Sequence, residues 1–260
     1  MRLLFLADVF GSPGHRAVEA SLPRLRAERE VDFCVVNAEN AADGRGLTPK
    51  LADRLLAAGA DVLTLGNHTW ARDELRPYLA GSERTIRPAN LAAGTAGRGL
   101  AVAPARDGTP VAVINLLGSL FLDAPVGPFE IVDALVDEAR SRAAVVLVDF
   151  HAEATSEKVA LARVLDGRVT AVIGTHTHVQ TSDARVQPGG TAALTDAGMC
   201  GPHDSVIGVE AELAIQRMRT GYSVRFRPAE GGVRLEGAIV DCDPSTGRAS
   251  AIEALRLAYP

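Results

Sequence analysis

Eight residues have the types and the placement to do chemistry: Asp8, Glu39, Asn40, Asn67, His68, His151, His176 and His178. Each closes a short apolar run or follows within a few residues of one, and four of the six histidines are among them. Two carboxylates (Asp8, Glu39), two carboxamides (Asn40, Asn67) and three imidazoles (His151, His176, His178) form a mixed nitrogen and oxygen donor set without thiolate. Such a set suits iron, manganese or zinc; Cu(I) would draw sulfur. Seven donors exceed the needs of one tetrahedral ion and match two ions that share a carboxylate. Two ions about 3.5–4 Å apart can activate water and clamp the oxygens of a phosphoryl group in displacement. His176 and His178 stand two apart, so an extended backbone would turn both to one side and Thr177 away. A His-x-His pair alone is weak evidence, because several unrelated hydrolases carry one.

Short apolar runs alternate with amphipathic ones over most of the chain. Strands are predicted at 3–7, 32–37, 61–65, 111–117, 144–149 and 170–174, and helices at 13–28, 49–58, 71–79, 131–142 and 155–165. Ser12 is read as the N-cap of the first helix, with Pro13 at its first position. Strands alternating with helices argue for an α/β fold with parallel pairing. The last third reads as short strands at 185–186, 191–195, 223–228 and 233–241, the last two forming a hairpin through 229–232. Two stacked sheets with helices outside would accommodate both parts. In an open α/β sheet, ligands bind beyond the carboxyl ends of parallel strands, so the loops bearing the eight residues should converge.

With 260 residues, 47% of them hydrophobic and 23% charged, the chain is a globular protein able to bury a sizeable core. A formal net charge of −5 argues against a protein that coats duplex nucleic acid or an anionic membrane. Only Lys50 and Lys158 are lysines among 27 basic residues. Cys34, Cys200 and Cys242 are odd in number and widely spaced, neither a disulfide framework nor a zinc knuckle. The opening apolar run is shorter than a signal-peptide core. No stretch reaches the roughly 20 apolar residues of a bilayer span. A cytoplasmic location without a membrane partner is therefore expected. No apolar stripe singles out an interface, and a homo-oligomer stays open.

The order Asp8, Glu39, Gly66-Asn67-His68, His151, Gly174-Thr175-His176-Thr177-His178 resembles the calcineurin-like metallophosphoesterases. The blocks LADVFGSPG (6–14), NAEN (37–40), LGNHTW (65–70), DFHAEATSEK (149–158), GTHTHVQTSD (174–183) and TDAGMCGPHDSVIG (195–208) resemble the YmdB family within that superfamily. The likeness spans nearly the whole chain. It departs from the wider superfamily where Asp8-Val9-Phe10 replaces Asp-x-His and where Glu39 replaces a bridging Asp. Both departures look like the narrower family's variant.

The resemblance implies a single domain over 1–260, a two-sheet sandwich flanked by helices in a four-layer α/β/β/α arrangement. It implies one ion on Asp8, Asn40 and His178, a second on Asn67, His151 and His176, and Glu39 shared between them. Iron is the first expectation, with manganese or zinc as alternatives. It further implies a phosphodiesterase acting on small phosphodiesters, 2′,3′-cyclic nucleotides first, with a hydroxide held between the ions as nucleophile and His68 assisting the leaving group. The alternatives are a phosphomonoesterase or RNA-end phosphatase on the same site, or a catalytically weak regulatory metal-binding protein.

Around this set stand residues with two readings each. Asn40 is either a ligand or a neighbour that orients Glu39. Glu153 either orients a histidine or is a solvated acid. His203 is read as part of a Gly-Pro loop, His15 as a surface residue and Cys200 as a packing residue. The 117–128 loop either covers substrate or merely connects.

Overall fold

The structure is a computed structural model that describes residues 1–259. Its logic is visible in β1 (Arg2–Leu6), which is apolar on both faces. Leu3 and Phe5 enter one buried cluster, while Leu4 and Leu6 enter another. Alternate residues of a strand point to opposite sides, so such a strand needs cover on both.

The chain continues with α1 (Gly11–Glu28), β2 (Phe33–Asn37), α2 (Pro49–Ala57), β3 (Val62–Thr64) and α3 (Leu75–Gly81). Next come β4 (Leu100–Pro104), β5 (Pro110–Leu117), α4 (Pro128–Arg140), β6 (Val145–His151), α5 (Thr155–Val164) and β7 (Ala171–Thr175). The last part holds β8 (Arg185–Val186), β9 (Ala192–Leu194), β10 (Gly201–Pro202), α6 (Ala211–Thr220), β11 (Val233–Cys242) and β12 (Ala249–Ala258).

Two sheets result. In the first, β1, β2 and β3 run parallel, β11 pairs antiparallel with β1, and β12 and the short β10 pair with β11. In the second, β5, β6, β7 and β9 run parallel, with β4 and β8 antiparallel at the two edges. Leu3, Phe5, Phe33 and Val35 pack against Val111, Val113, Leu147 and Ile173 between the sheets. Outside the first sheet, Leu4, Leu6 and Val36 pack beneath Val18, Leu22 and Leu25 of α1 and Leu55 of α2. Outside the second, Ile114, Val146 and Val148 meet Val132 and Val136 of α4 and Leu161 of α5. The order of layers is α/β/β/α, as the sequence suggests. Burying a Leu, Val or Phe fully is worth about 1.5–3 kcal/mol, so these three clusters dominate stability.

Several elements differ from the sequence reading. Ser12 does not cap α1: the helix starts at Gly11, after an extended Phe10, and no side chain caps it. The third helix lies at Leu75–Gly81, later than 71–79. Residues 223–228 do not form a strand; the hairpin is β11 with β12, paired from Arg234↔Ala258 to Cys242↔Ala249. His15 is buried, not superficial, with Nδ1 3.1 Å from Glu19 Oε1.

Candidate metal centre

The carboxyl ends of β1, β2, β3, β6 and β7 open on a common edge, and all eight residues stand there. Asp8 follows β1 by two residues and takes a left-handed φ of 35°. Its neighbours are tied to the next loops, Val9 N–H donating to Asn37 O at 2.9 Å and Gly11 N–H to Asn40 O at 2.9 Å. Glu39 and Asn40 follow β2. Gly66 to His68 follow β3, His151 is the last residue of β6, and His176 and His178 come just after β7. Gly66 is required here: a β-carbon at this point would lie 2.2 Å from Glu39 Oε2 and 2.3 Å from His151 Cδ2.

His151 Nε2 lies 2.9 Å from Asn67 Oδ1, 3.0 Å from His176 Nδ1 and 3.1 Å from Glu39 Oε1. On the other side, His178 Nε2 lies 3.2 Å from Asn40 Nδ2 and 3.8 Å from Asp8 Oδ1. Asn40 Nδ2 is 3.1 Å from Glu39 Oε1, so Glu39 stands between the two groups. Asp8 Oδ2 accepts from His176 N–H at 2.9 Å, while Asp8 Oδ1 is buried without a hydrogen-bond partner. Asp8, Glu39, Asn40, His151 and His178 are buried.

The proton inventory decides what this cluster wants. Thr175 O–H donates to Asp149 Oδ1 at 2.7 Å, so toward His151 Nδ1, 3.0 Å away, the hydroxyl can only accept. His151 therefore carries its N–H on Nδ1 and a lone pair on Nε2. In the same way His178 Nδ1 donates to Ile207 O at 2.9 Å, which frees Nε2. With His151 neutral, lone pairs of His151, Asn67 and Glu39 thus meet within hydrogen-bond distance, beside His176, and only an added proton or a cation can join them. Adding an orphaned carboxylate oxygen on Asp8, the arrangement fits cations. Glu39, His151 and His176 place ligand atoms within 4.8 Å of one another.

Without a metal, the electrostatics put a second proton on His151 instead. Burial lowers His151, but Glu39, Asp8 and Asp149 outweigh it and lift the imidazole to about 9. The field thus draws a positive charge to this point, and a metal ion would satisfy more of the converging acceptors than one proton. Burial and the neighbouring His151 push His176 down to about 3, and burial lowers His178. Burial would raise Glu39, but His151 and His68 hold it well below the usual carboxylate range. Burial pushes Asp8 well above that range, against the pull of His151.

Two expectations need correction in detail. The His-x-His segment is not extended: His176 and His178 have φ of 102° and 63°. Both rings reach the cluster, but through left-handed turns beyond the end of β7. Asn40 faces Glu39 and His178 with its nitrogen and His68 Nδ1 with its oxygen, at 2.7 Å. An amide seen this way links its neighbours; it offers oxygen to an ion only when turned over, an exchange of two nearly isosteric atoms.

Other residues take clear places. Glu153 Oε2 lies 3.0 Å from His176 Nε2, on the side away from His151. His203 lies in its loop, with Nε2 3.2 Å from Met199 O, and Cys200 is buried. The 117–128 loop, pinned by buried Glu157 to Ser119 and Leu120, borders a separate groove beside Asn67 and Trp70. The sequence reading missed Thr175 and Asp149, which set the His151 tautomer. Their signal was present: Asp149 and His151 are polar residues two apart on one side of an otherwise apolar strand.

Above the cluster is a pocket of about 620 Å³. Glu39, Asn40, His68, His176 and His178 line its floor, and Arg45, Arg217 and Phe226 its rim. Arg227 is occupied by Glu210 at 2.9 Å, whereas Arg45 and Arg217 have no carboxylate within 4 Å among the described residues. Arg217 lies 5.2 Å over the Phe226 ring.

Two α/β sheets packed face to face, with a cation-ready cluster at their shared edge, define the metallophosphoesterase fold. A solved structure described as a novel phosphatase from Mycoplasma pneumoniae superposes with TM-score 0.91 at 34% identity, covering 99% of this chain and 93% of that one. A hypothetical protein from Thermus thermophilus superposes with TM-score 0.93 at 42% identity, covering 100% of both. The chain belongs to the YmdB-like family, whose signature matches residues 4–255. It is 46% identical to the Bacillus subtilis (strain 168) protein named 2′,3′-cyclic-nucleotide 2′-phosphodiesterase, over 97% of this chain and 96% of that protein.

Proposed function

We propose that the chain is a two-metal phosphodiesterase for small nucleotides, with 2′,3′-cyclic phosphodiesters as its substrate class. The observation that carries this reading is the convergence of the His151, Asn67 and Glu39 donor atoms at the floor of a nucleotide-sized, arginine-rimmed pocket. Asp8, Asn40 and His178 would hold one ion, Asn67, His151 and His176 the other, with Glu39 shared. Iron is the first candidate and manganese or zinc the alternatives. Bound ions would supply an acidified water and positive charge for the phosphoryl oxygens. Both sheets contribute to each trio, which supports one catalytic domain over residues 1–260. Among the described residues no helix is long and apolar enough to cross a membrane. The three free, buried cysteines suit a reducing cytoplasm.

In hydrolysis, water adds to phosphorus, one P–O bond breaks, and the departing ribose oxygen takes a proton. We assign that proton to His68. Its ring lines the pocket and is partly exposed; with Asn40 turned so that its oxygen meets an ion, the Asn40 NH2 would donate to His68 Nδ1 and the ring's own proton would sit on Nε2, toward the substrate. His68→Ala should keep its metals and lose about 10²–10⁴-fold in kcat, the usual worth of a positioned acid. Metal analysis beside steady-state kinetics checks this; undiminished turnover would remove His68 from the reaction.

The rim sets recognition. Arg45 and Arg217 can meet phosphate or ribose oxygens, and the partly exposed Phe226 ring offers a face for a base. Stacking of a base on an aromatic ring is sequence-tolerant and worth about 1–3 kcal/mol. Phe226→Ala should therefore raise KM for a 2′,3′-cyclic nucleotide roughly tenfold and leave KM for base-free ribose 2,3-cyclic phosphate within about twofold. An equal rise for both substrates would mean that Phe226 only shapes the rim.

The whole reading is tested by assaying metal-loaded protein on 2′,3′-cyclic AMP and on an aryl monophosphate, with product identification. Diester turnover is expected to dominate, giving a single phosphomonoester. A preference for the monoester would favour a phosphatase, and inertness on both a regulatory role.

A further inference from the structure

Two histidines of the site sit in left-handed turns that something must hold, and a lysine is buried close behind them. Residues with a β-carbon rarely take positive φ and keep it only where their surroundings fix it. His176 (φ 102°) and His178 (φ 63°) do so on either side of Thr177.

Thr177 is the fixed point. Asp196 Oδ2 accepts from Thr177 N–H at 3.1 Å and from its hydroxyl at 2.7 Å. The same oxygen accepts from Lys158 Nζ at 2.7 Å, and Asp196 Oδ1 accepts from Gly198 N–H at 2.9 Å. Lys158 and Asp196 are 3% and 1% exposed, so this is an ion pair sealed from water. An isolated buried carboxylate would be strongly disfavoured, and the lysine removes that penalty while the N–H and O–H donors fill its remaining lone pairs. Lys158 closes the sequence block DFHAEATSEK and Asp196 lies at the start of TDAGMCGPHDSVIG. Neither contributes to the donor cluster itself.

We infer that the buried Lys158–Asp196 pair is the positioning device of the metal centre: through Thr177 it holds His176 and His178 in the turns that bring their rings to the two trios. The inference rests on the two-metal reading above. An amide in place of the Asp196 carboxylate cannot do the same work. With its oxygen at either position, its NH2 opposes a backbone N–H, of Gly198 in one orientation and of Thr177 in the other.

The test uses the full chain freed of metal and titrated with Mn²⁺ alone. Affinity is read by chelator competition, and the coupling of the two ions by electron paramagnetic resonance. Thr177→Val removes one bond to Asp196 at a partly exposed position, and should weaken Mn²⁺ binding roughly three- to tenfold. Thr177→Ser should restore it. Asp196→Asn should weaken binding about 10–100-fold, the range seen when supports of ligating residues are lost, with loss of the coupled-pair signal. Thr177→Val and folded Asp196→Asn binding two ions as tightly as wild type would overturn the inference. If Asp196→Asn does not fold, the Thr177 pair decides alone. Wild-type protein that binds no Mn²⁺ pair would instead sink the metal reading itself.

Discussion

Glu39→Gln should lower kcat by about 1,000-fold or more and cost the protein at least one of its ions. The substitution keeps shape and removes one charge. Glu39 Oε1 stands 3.1 Å from His151 Nε2 and 3.1 Å from Asn40 Nδ2, and Oε2 accepts from His68 N–H at 3.2 Å. A glutamine must place its NH2 at one of those oxygens. At Oε2 it opposes the His68 N–H; at Oε1 it would take up the His151 Nε2 lone pair and remove the oxygen an ion would use. Either way the negative charge between the two trios is gone. Metal content by elemental analysis and kcat on a cyclic nucleotide check this. A variant that keeps both ions and turns over within about tenfold of wild type would show that Glu39 is not shared.

Removing metal should have an effect of similar size, extending from chemistry to stability. Chelated protein is expected to be inactive and to regain activity on adding Fe²⁺ or Mn²⁺. An ion that binds only the folded chain stabilises it by about 4 kcal/mol at 1,000 times its Kd. For a chain of this length that is roughly a 10 °C rise in melting temperature. Uptake should weaken as pH falls, because protons compete with cations for the same lone pairs. Burial holds Asp8 well above its ordinary range, and Glu39, Asp8 and Asp149 lift His151 to about 9, so protons already compete at neutral pH and more strongly below it. Melting curves with and without Mn²⁺ at several pH values read both effects. Equal melting temperatures at every pH would count against a resident metal.

The parallel strands and their terminal polar residues were legible in the sequence for a physical reason. A strand buried on both faces must be continuously apolar, so Asp8, Glu39 and His151 stand out at the ends of such runs. Elements decided by tertiary contact were not. Ala249–Ala258 is rich in alanine and leucine, both good helix formers, yet it pairs along β11 as a strand. β4 is an edge strand ending at Pro104 that gains its place only from β5. In α6 only Ala214 is buried, so no apolar stripe marks it. The spacing of His176 and His178 announces that both approach the cluster, but the turns that achieve it depend on Asp196, twenty residues from the first histidine, and no local pattern encodes that contact.

Each trio draws on both layers of strands: Asp8 and Asn40 come from the first sheet and His178 from the second, while Asn67 comes from the first and His151 and His176 from the second. On the two-metal reading proposed above, a chain emerging from the ribosome would have one nest complete only after residue 176 and the other only after residue 178, once the halves have closed on each other. Separated halves would then each hold only part of either nest.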